Sequence, residues 1–203
     1  MPDSVLQSAP KAAPARTAEV FRAAAELMVE KGYGGTSIND IAQAVDMTKA
    51  GLYHHISGKQ DLLYQILNHA MDELERIVTV PVRLIEDPEE RLRELMRLQI
   101  QGSVRHGLVF SVLFSEINHL APEQQTEIRG RIKRHHALIR ESLQELANEG
   151  RLRKLDVNIA TMLFMSVFTG IARWKHQDFT SDEDHLIQET VDYTMAALLK
   201  SVR

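Results

Sequence analysis

The chain has 203 residues, with 24 Lys and Arg against 28 Asp and Glu, a formal charge of −4. Hydrophobic residues at 44% and charged residues at 26% are ordinary for a folded globular chain of one large or two small domains, and they exclude a disordered, collagenous or coiled-coil rod class. No cysteine is present, which removes disulfides, thiolate metal sites, iron–sulfur clusters and cysteine nucleophiles from consideration. No stretch reaches the roughly 20 apolar residues of a membrane span, and the N-terminus lacks a basic-then-apolar secretory pattern. The expectation is a soluble, cytoplasmic protein with no membrane partner.

Residues 1–14 hold Pro2, Pro10 and Pro14 among Ser, Ala and Gln with no apolar periodicity, so they read as a flexible arm. From Ala15 onward the pattern is helical and strand-like alternation never persists, which predicts an all-α fold of about nine helices. Their expected extents are 16–31, 38–45, 49–55, 59–79, 88–105, 108–119, 122–149, 156–176 and 181–201. Starts are marked by side-chain acceptors for the free N–H groups of a first turn: Ser37 with Asp40, Thr48, Ser57 with Gln60, Asp156, and Thr180 with Glu183. Asp87-Pro88-Glu89-Glu90 and Ala121-Pro122-Glu123 place proline first in a helix and acids beside its positive end. Gly32 and Gly150 mark stops. The expected division is an arm over 1–14, a short helical unit over 15–58 and a larger helical domain over 59–203.

The segment Ser37 to Ile56 carries the most informative pattern. Ile38, Ile41, Ala42 and Val45 form one apolar stripe, a three-residue turn follows, and Leu52 and Ile56 face inward from a second short helix. This is helix-turn-helix spacing. Ala42 and Gly51 are small where the two helices must cross, while Lys49, Ala50, Tyr53 and His54 fall on the outer face that a DNA major groove would meet. Lys49 can donate to guanine, Ala50 can touch a thymine methyl, and Gly51 admits close approach. Tyr53, His55, Lys59 and the helix starts at Thr36, Ser37 and Thr48 supply donors for phosphates. Read without the surrounding motif, Tyr53 is an amphipathic rim residue and His54-His55 a solvated pair. Residues 1–60 contain six bases and six acids, so the unit has no basic patch and affinity must come from geometry and dimerisation.

The chain resembles the TetR family of transcriptional repressors through Gly32-Tyr33-Gly34-Gly35-Thr36-Ser37, Asp40-Ile41-Ala42 and Lys49-Ala50-Gly51-Leu52-Tyr53-His54-His55, followed by Lys59 and Leu62-Leu63. The resemblance covers about Ala15 to Leu67, with Ile56 standing where the family usually has Phe. It implies a homodimeric regulator, not an enzyme, that binds a palindromic site on double-stranded DNA and answers to a small molecule.

In the larger domain, Val157 to Ala172 has no charge; Ile159, Leu163, Val167, Ile171 and Trp174 form one face and Ala160, Phe164 and Phe168 another. The last helix offers Ile187, Val191, Thr194 and Leu198 on one stripe, with Leu186, Thr190, Tyr193 and Ala197 beside it. The family resemblance implies that these two helices pair across a two-fold axis; without it they read as monomer core. Phe110, Leu113, Phe114, Met162, Phe164, Met165 and Phe168 could line an apolar chamber, although such a stripe is more often core. A looser similarity of Val109 to Glu116, Glu149 to Asp156 and Arg173-Trp174 to acyl-CoA-responsive members implies an acyl-CoA effector, with Arg105, Arg151 or Arg173 near its phosphates.

Glu116-x-x-His119 has metal-ligand spacing, but a second copy is missing and Asp182-x-x-His185 sits at an exposed helix start. His135-His136 cannot both face one site and are expected at the surface. No metal, cofactor or catalytic arrangement is implied. The alternative reading is an acyl-binding helical bundle or enzyme whose DNA-binding head does not function.

Overall fold

A computed structural model describes residues 15–174 and 182–200, apart from the side chains of 15, 104–111, 113, 114 and 172–174. The expected arm over 1–14 and the Thr180 cap lie outside the described residues. The fold is all-α. Helix α1 (Ala15–Gly35) is followed by α2 (Ile38–Ala44), α3 (Lys49–Tyr53) and α4 (Lys59–Leu74). A π-turn, Glu75–Thr79, and a single turn, α5 (Val80–Val82), extend α4. Then come α6 (Pro88–Glu116) with a 3₁₀ turn at Ile117–His119, α7 (Pro122–Asn148), α8 (Val157–Trp174) and α9 (Glu183–Leu198). Among the described residues the only strand-like pairing is one antiparallel bridge between Leu152 and Leu199.

Most helix starts follow from local chemistry. Ser37 and Asp40 form the reciprocal capping box of α2, and Asp87 accepts from the N–H groups of Glu89 and Glu90 at the start of α6. Asp156 does the same for Asn158 and Ile159 at α8, and Asp182 caps α9. Gly32 takes φ 72° and breaks the ladder of α1, so Tyr33 to Gly35 turn away before α2. At α4 the expected Ser57–Gln60 box is absent: Gly58 is the cap, and the Asp61 carboxylate reaches back to the Ser57 N–H at 2.7 Å.

Two further expectations change. Residues 88–105 and 108–119 are not separate helices: no proline interrupts the ladder, and α6 runs through to Glu116. The expected helix 59–79 widens at Glu75 into the π-turn, which ends two residues before Pro81, whose missing N–H cannot serve the regular ladder.

At about 43 Å for its 29 residues, α6 is the spine of the molecule, packing against α1, α4, α7, α8 and α9. A single apolar cluster runs from Val20 and Leu52 through Leu62, Met96 and Ile139 to Phe164 and Leu198, so the helix-turn-helix unit and the larger domain share one core.

His135, expected at the surface, is 3% exposed. It lies on the α7 stripe of Ile128, Arg131, Leu138 and Ser142, which turns inward. Its Nδ1 is 3.2 Å from the Thr79 hydroxyl and its Nε2 is 2.9 Å from Gln99 Oε1, contacts that suit a neutral ring donating through Nε2. Burial, with His136 beside it, pushes its pKa from 6.5 down to about 4. The unfolded chain therefore binds a proton in that window that the folded chain refuses. Stability is full above about pH 6.5 and is lost as pH falls toward 4, by at most roughly 3 kcal/mol. Chemical denaturation at stepped pH should show His135→Gln losing less stability than the parent over this window; parallel losses would show that His135 is not held neutral.

Candidate nucleic-acid interface and effector chamber

The two helices of the interface are short and are fixed from several sides. After α2 the chain reverses through Asp46, which takes φ 50°, and the Met47 N–H closes on the Ala42 carbonyl at 2.9 Å. Arg16 of α1 donates to the Val45 carbonyl at 2.6 Å and ties α1 to that turn. Thr48 then caps α3 by accepting from the Gly51 N–H at 3.0 Å. A β-carbon on Gly51 would stand 3.2 Å from the same Thr48 oxygen, so the absence of a side chain protects the cap. Leu52 is fully buried and Ile56 nearly so, which sets the rotation of α3.

With that rotation, Lys49, Ala50, Tyr53 and His54 are exposed and Gly51 partly so; Ser37, Thr48 and His55 also face solvent. Lys49 Nζ lies 6.0 Å from the centre of the Tyr53 ring. Thr36 is the exception among the expected phosphate donors: it is 1% exposed and its hydroxyl donates to the Gly32 carbonyl, closing the end of α1. Its side chain is therefore withdrawn from any DNA surface. Lys59 is half-buried, and its ammonium donates to the carbonyls of Tyr33 and Thr36 at 2.8 and 2.9 Å. Two of its three N–H donors are thereby used.

In the larger domain Phe164 and Phe168 are buried and meet edge-to-face at 6.2 Å, with Met165 half-buried beside them. Met162 does not join this wall, because it is 60% exposed on the opposite side of α8. The side chains of Arg105, Phe110, Leu113, Phe114, Arg173 and Trp174 lie outside the described residues. Arg151 is committed elsewhere: it bridges Asp87, Glu89 and Glu149 at 2.7–3.0 Å, which raises its own pKa and holds the Asp87 carboxyl down near 2. It ties the loop after α7 to the start of α6, in a groove of about 630 Å³ shared with Arg93, Asp192 and Met195.

Of the expected association surface, the first α9 stripe turns inward, while Ile159 and Leu163 of α8 and Tyr193 of the adjoining α9 stripe stay exposed. Val191 and Leu198 are 6% and 3% exposed and belong to the monomer core. The residues left outside are Ile159, Met162 and Leu163 on α8 and Tyr193 on α9, the last at 77% exposure.

Sequence reasoning missed the polar clamp on the π-turn. Arg131, one turn before His135 on α7, is nearly buried and binds Asn68, Asp72 and Glu75. The apolar spacing of Ile128, Leu138 and Leu146 was the signal that could have placed both residues inward. Glu116 and His119 pair with each other at 3.4 Å, and among the described residues no group of three or more His, Asp or Glu could hold a metal. No described helix is long and apolar enough to cross a membrane.

Residues 20–66 match the family of bacterial regulatory proteins of the tetR type, and residues 86–198 match the tetracyclin-repressor-like C-terminal domain. The chain belongs to the TetR family. It is a DNA-binding transcriptional regulator and not an enzyme. Among its relatives is the HTH-type transcriptional repressor KstR2 of Mycobacterium tuberculosis, 25% identical over 161 residues, 78% of this chain and 80% of that one. The HTH-type transcriptional activator FasR of Mycolicibacterium smegmatis is 24% identical over 187 residues, covering 90% and 83%. The crystal structure of AibR in complex with isovaleryl coenzyme A and operator DNA superposes with a TM-score of 0.79 at 32% identity, covering 88% of this chain and 97% of that one. The relatives include both a repressor and an activator, so likeness alone carries regulation and not its sign.

Proposed function

We propose that this TetR-family chain acts as a cytoplasmic homodimeric repressor that binds a palindromic operator through α3 and is released by an apolar effector of the acyl-CoA class. The observation that carries the DNA reading is the outward face of α3, where Lys49, Ala50, Tyr53 and His54 stand free of internal structure while Leu52 is fully buried behind them. Lys49 and Ala50 address base edges, with Gly51 and His54 beside them. Ser37, Thr48, Tyr53, His55 and the remaining Lys59 donor address phosphates. In this reading residues 15–58 are the DNA-binding unit and 59–203 the effector-binding and dimerisation domain.

The effector class is supported by the buried Phe164–Phe168 pair, the uncharged α8 around it and the 32% identity to AibR, which was crystallised with isovaleryl coenzyme A. The acyl part would lie among Phe110, Phe114, Phe164, Met165 and Phe168, with Arg173 and Trp174 at the end of α8 toward the polar part. Dimerisation is supported by Ile159, Met162, Leu163 and Tyr193, large apolar side chains that a lone chain leaves in water.

Binding assays on a selected operator and a random duplex check the DNA contacts. Lys49→Ala should narrow the gap between operator and random DNA. Tyr53→Phe and Lys59→Ala should weaken both, and Lys59→Ala should reduce the magnitude of the log–log salt slope by about 1. Parental affinity in all three variants would remove α3 and Lys59 from the DNA surface.

The effector reading is checked with a series of acyl-CoAs from isovaleryl upward, with free CoA as control. A ligand at a hundredfold excess over its Kd stabilises the fold by about 2.7 kcal/mol, so a binding acyl-CoA should raise the melting temperature and weaken operator binding. Free CoA should do much less, because the buried chain would supply most of the affinity. A series that changes neither quantity would dismiss the acyl-CoA class and leave the DNA reading standing.

A further inference from the structure

Lys59 is held by a ring that the larger domain also holds. Tyr33 follows the break at Gly32, and its carbonyl accepts from the Lys59 ammonium at 2.8 Å. The same ammonium lies 4.3 Å from the centre of the Tyr33 ring. His119, in the 3₁₀ turn that closes α6, stacks on that ring with centroids 4.6 Å apart and planes at 21°. Gln60, the neighbour of Lys59, donates to the His119 carbonyl at 2.8 Å. Within a few ångströms the end of α6, the end of α1 and the start of α4 are thus fastened to one another. The His119 side chain remains 50% exposed, so it buries little and contributes little to the core. Its chief contact across the domain boundary is the Tyr33 ring.

We propose that His119 is a positioning residue for DNA binding: by stacking on Tyr33 it fixes the carbonyl and ring that aim the Lys59 ammonium, so that a shift at the end of α6 alters a phosphate contact. Two of the three Lys59 donors are spent on the carbonyls of Tyr33 and Thr36, and the direction of the third follows from those two. Losing the stack frees Tyr33 to tilt and lets that donor wander. The inference rests on the reading of Lys59 as a phosphate contact.

A double-mutant cycle on the full chain tests it, with operator and random duplex affinity and melting temperature measured for each variant. His119→Ala should weaken both DNAs roughly three- to tenfold, with the melting temperature lowered by only a few degrees, as the loss of one half-exposed aromatic pair entails. His119→Phe keeps a ring over Tyr33 and should return affinity to within about twofold of the parent. In a Lys59→Ala background, His119→Ala should have no further effect. Additive losses, or failure of His119→Phe to rescue affinity, would each overturn the proposal while the Lys59 reading survives. Parental affinity in Lys59→Ala itself would overturn both.

Discussion

A five-residue helix has almost no stability of its own, since nucleation costs more than one turn of hydrogen bonds returns. The surface proposed to meet DNA is carried on such a helix, α3, and much of the N-terminal unit exists to hold it. The Thr48 cap is worth about 1 kcal/mol, and the buried Leu52 adds roughly 2 kcal/mol. The Asp46 turn fixes its entry and the bond from Arg16 to Val45 fixes that turn. A hinge here would let the outer face roll; the buried Leu52 and Ile56 on the inner side prevent it.

The same constraint reaches into the larger domain. Because α3 packs on α2, α2 on α1, and α1 and α4 on α6, a displacement of α6 cannot stay local. The shared apolar cluster resists it, and so do the polar clamps. Arg131 and His135 grip the π-turn that continues α4, while Tyr33, Lys59 and His119 fasten its beginning. The helix that starts at Lys59 is therefore held at both ends by groups that face α6 or α7.

What was legible in the sequence is what local chemistry decides. Ser37 with Asp40, Thr48 and Asp87 cap the helices they precede, and the inward placing of Leu52 follows from spacing alone. Residues whose role depends on distant partners were not legible. Thr36 looks like any helix-start hydroxyl until its bond to Gly32 is seen, and Arg151 looks like a free cation until Asp87 and Glu89 close on it. On α9 the periodicity marks two adjoining stripes, but which one faces the core is decided by the approach of α6 and α8. Val191 and Leu198 went inward for that reason, leaving Tyr193 outside. The Lys59 motif was recognisable, but its bond to the Tyr33 carbonyl spans 26 residues and no local rule reveals it.

One head presents a small surface with six bases and six acids over residues 1–60, too little charge to bind DNA tightly alone. Tight binding therefore requires two copies, joined so that both α3 helices meet one face of the duplex. The proposed seam, Ile159, Met162, Leu163 and Tyr193, is exposed enough to change without opening the core. The direct measurement is sedimentation of Met162→Glu and Leu163→Glu alongside their affinity for a selected operator. Placing like charges across a two-fold seam should give folded monomers whose operator binding falls to the level of a single half-site. Intact dimers with parental operator affinity from both variants would contradict the account.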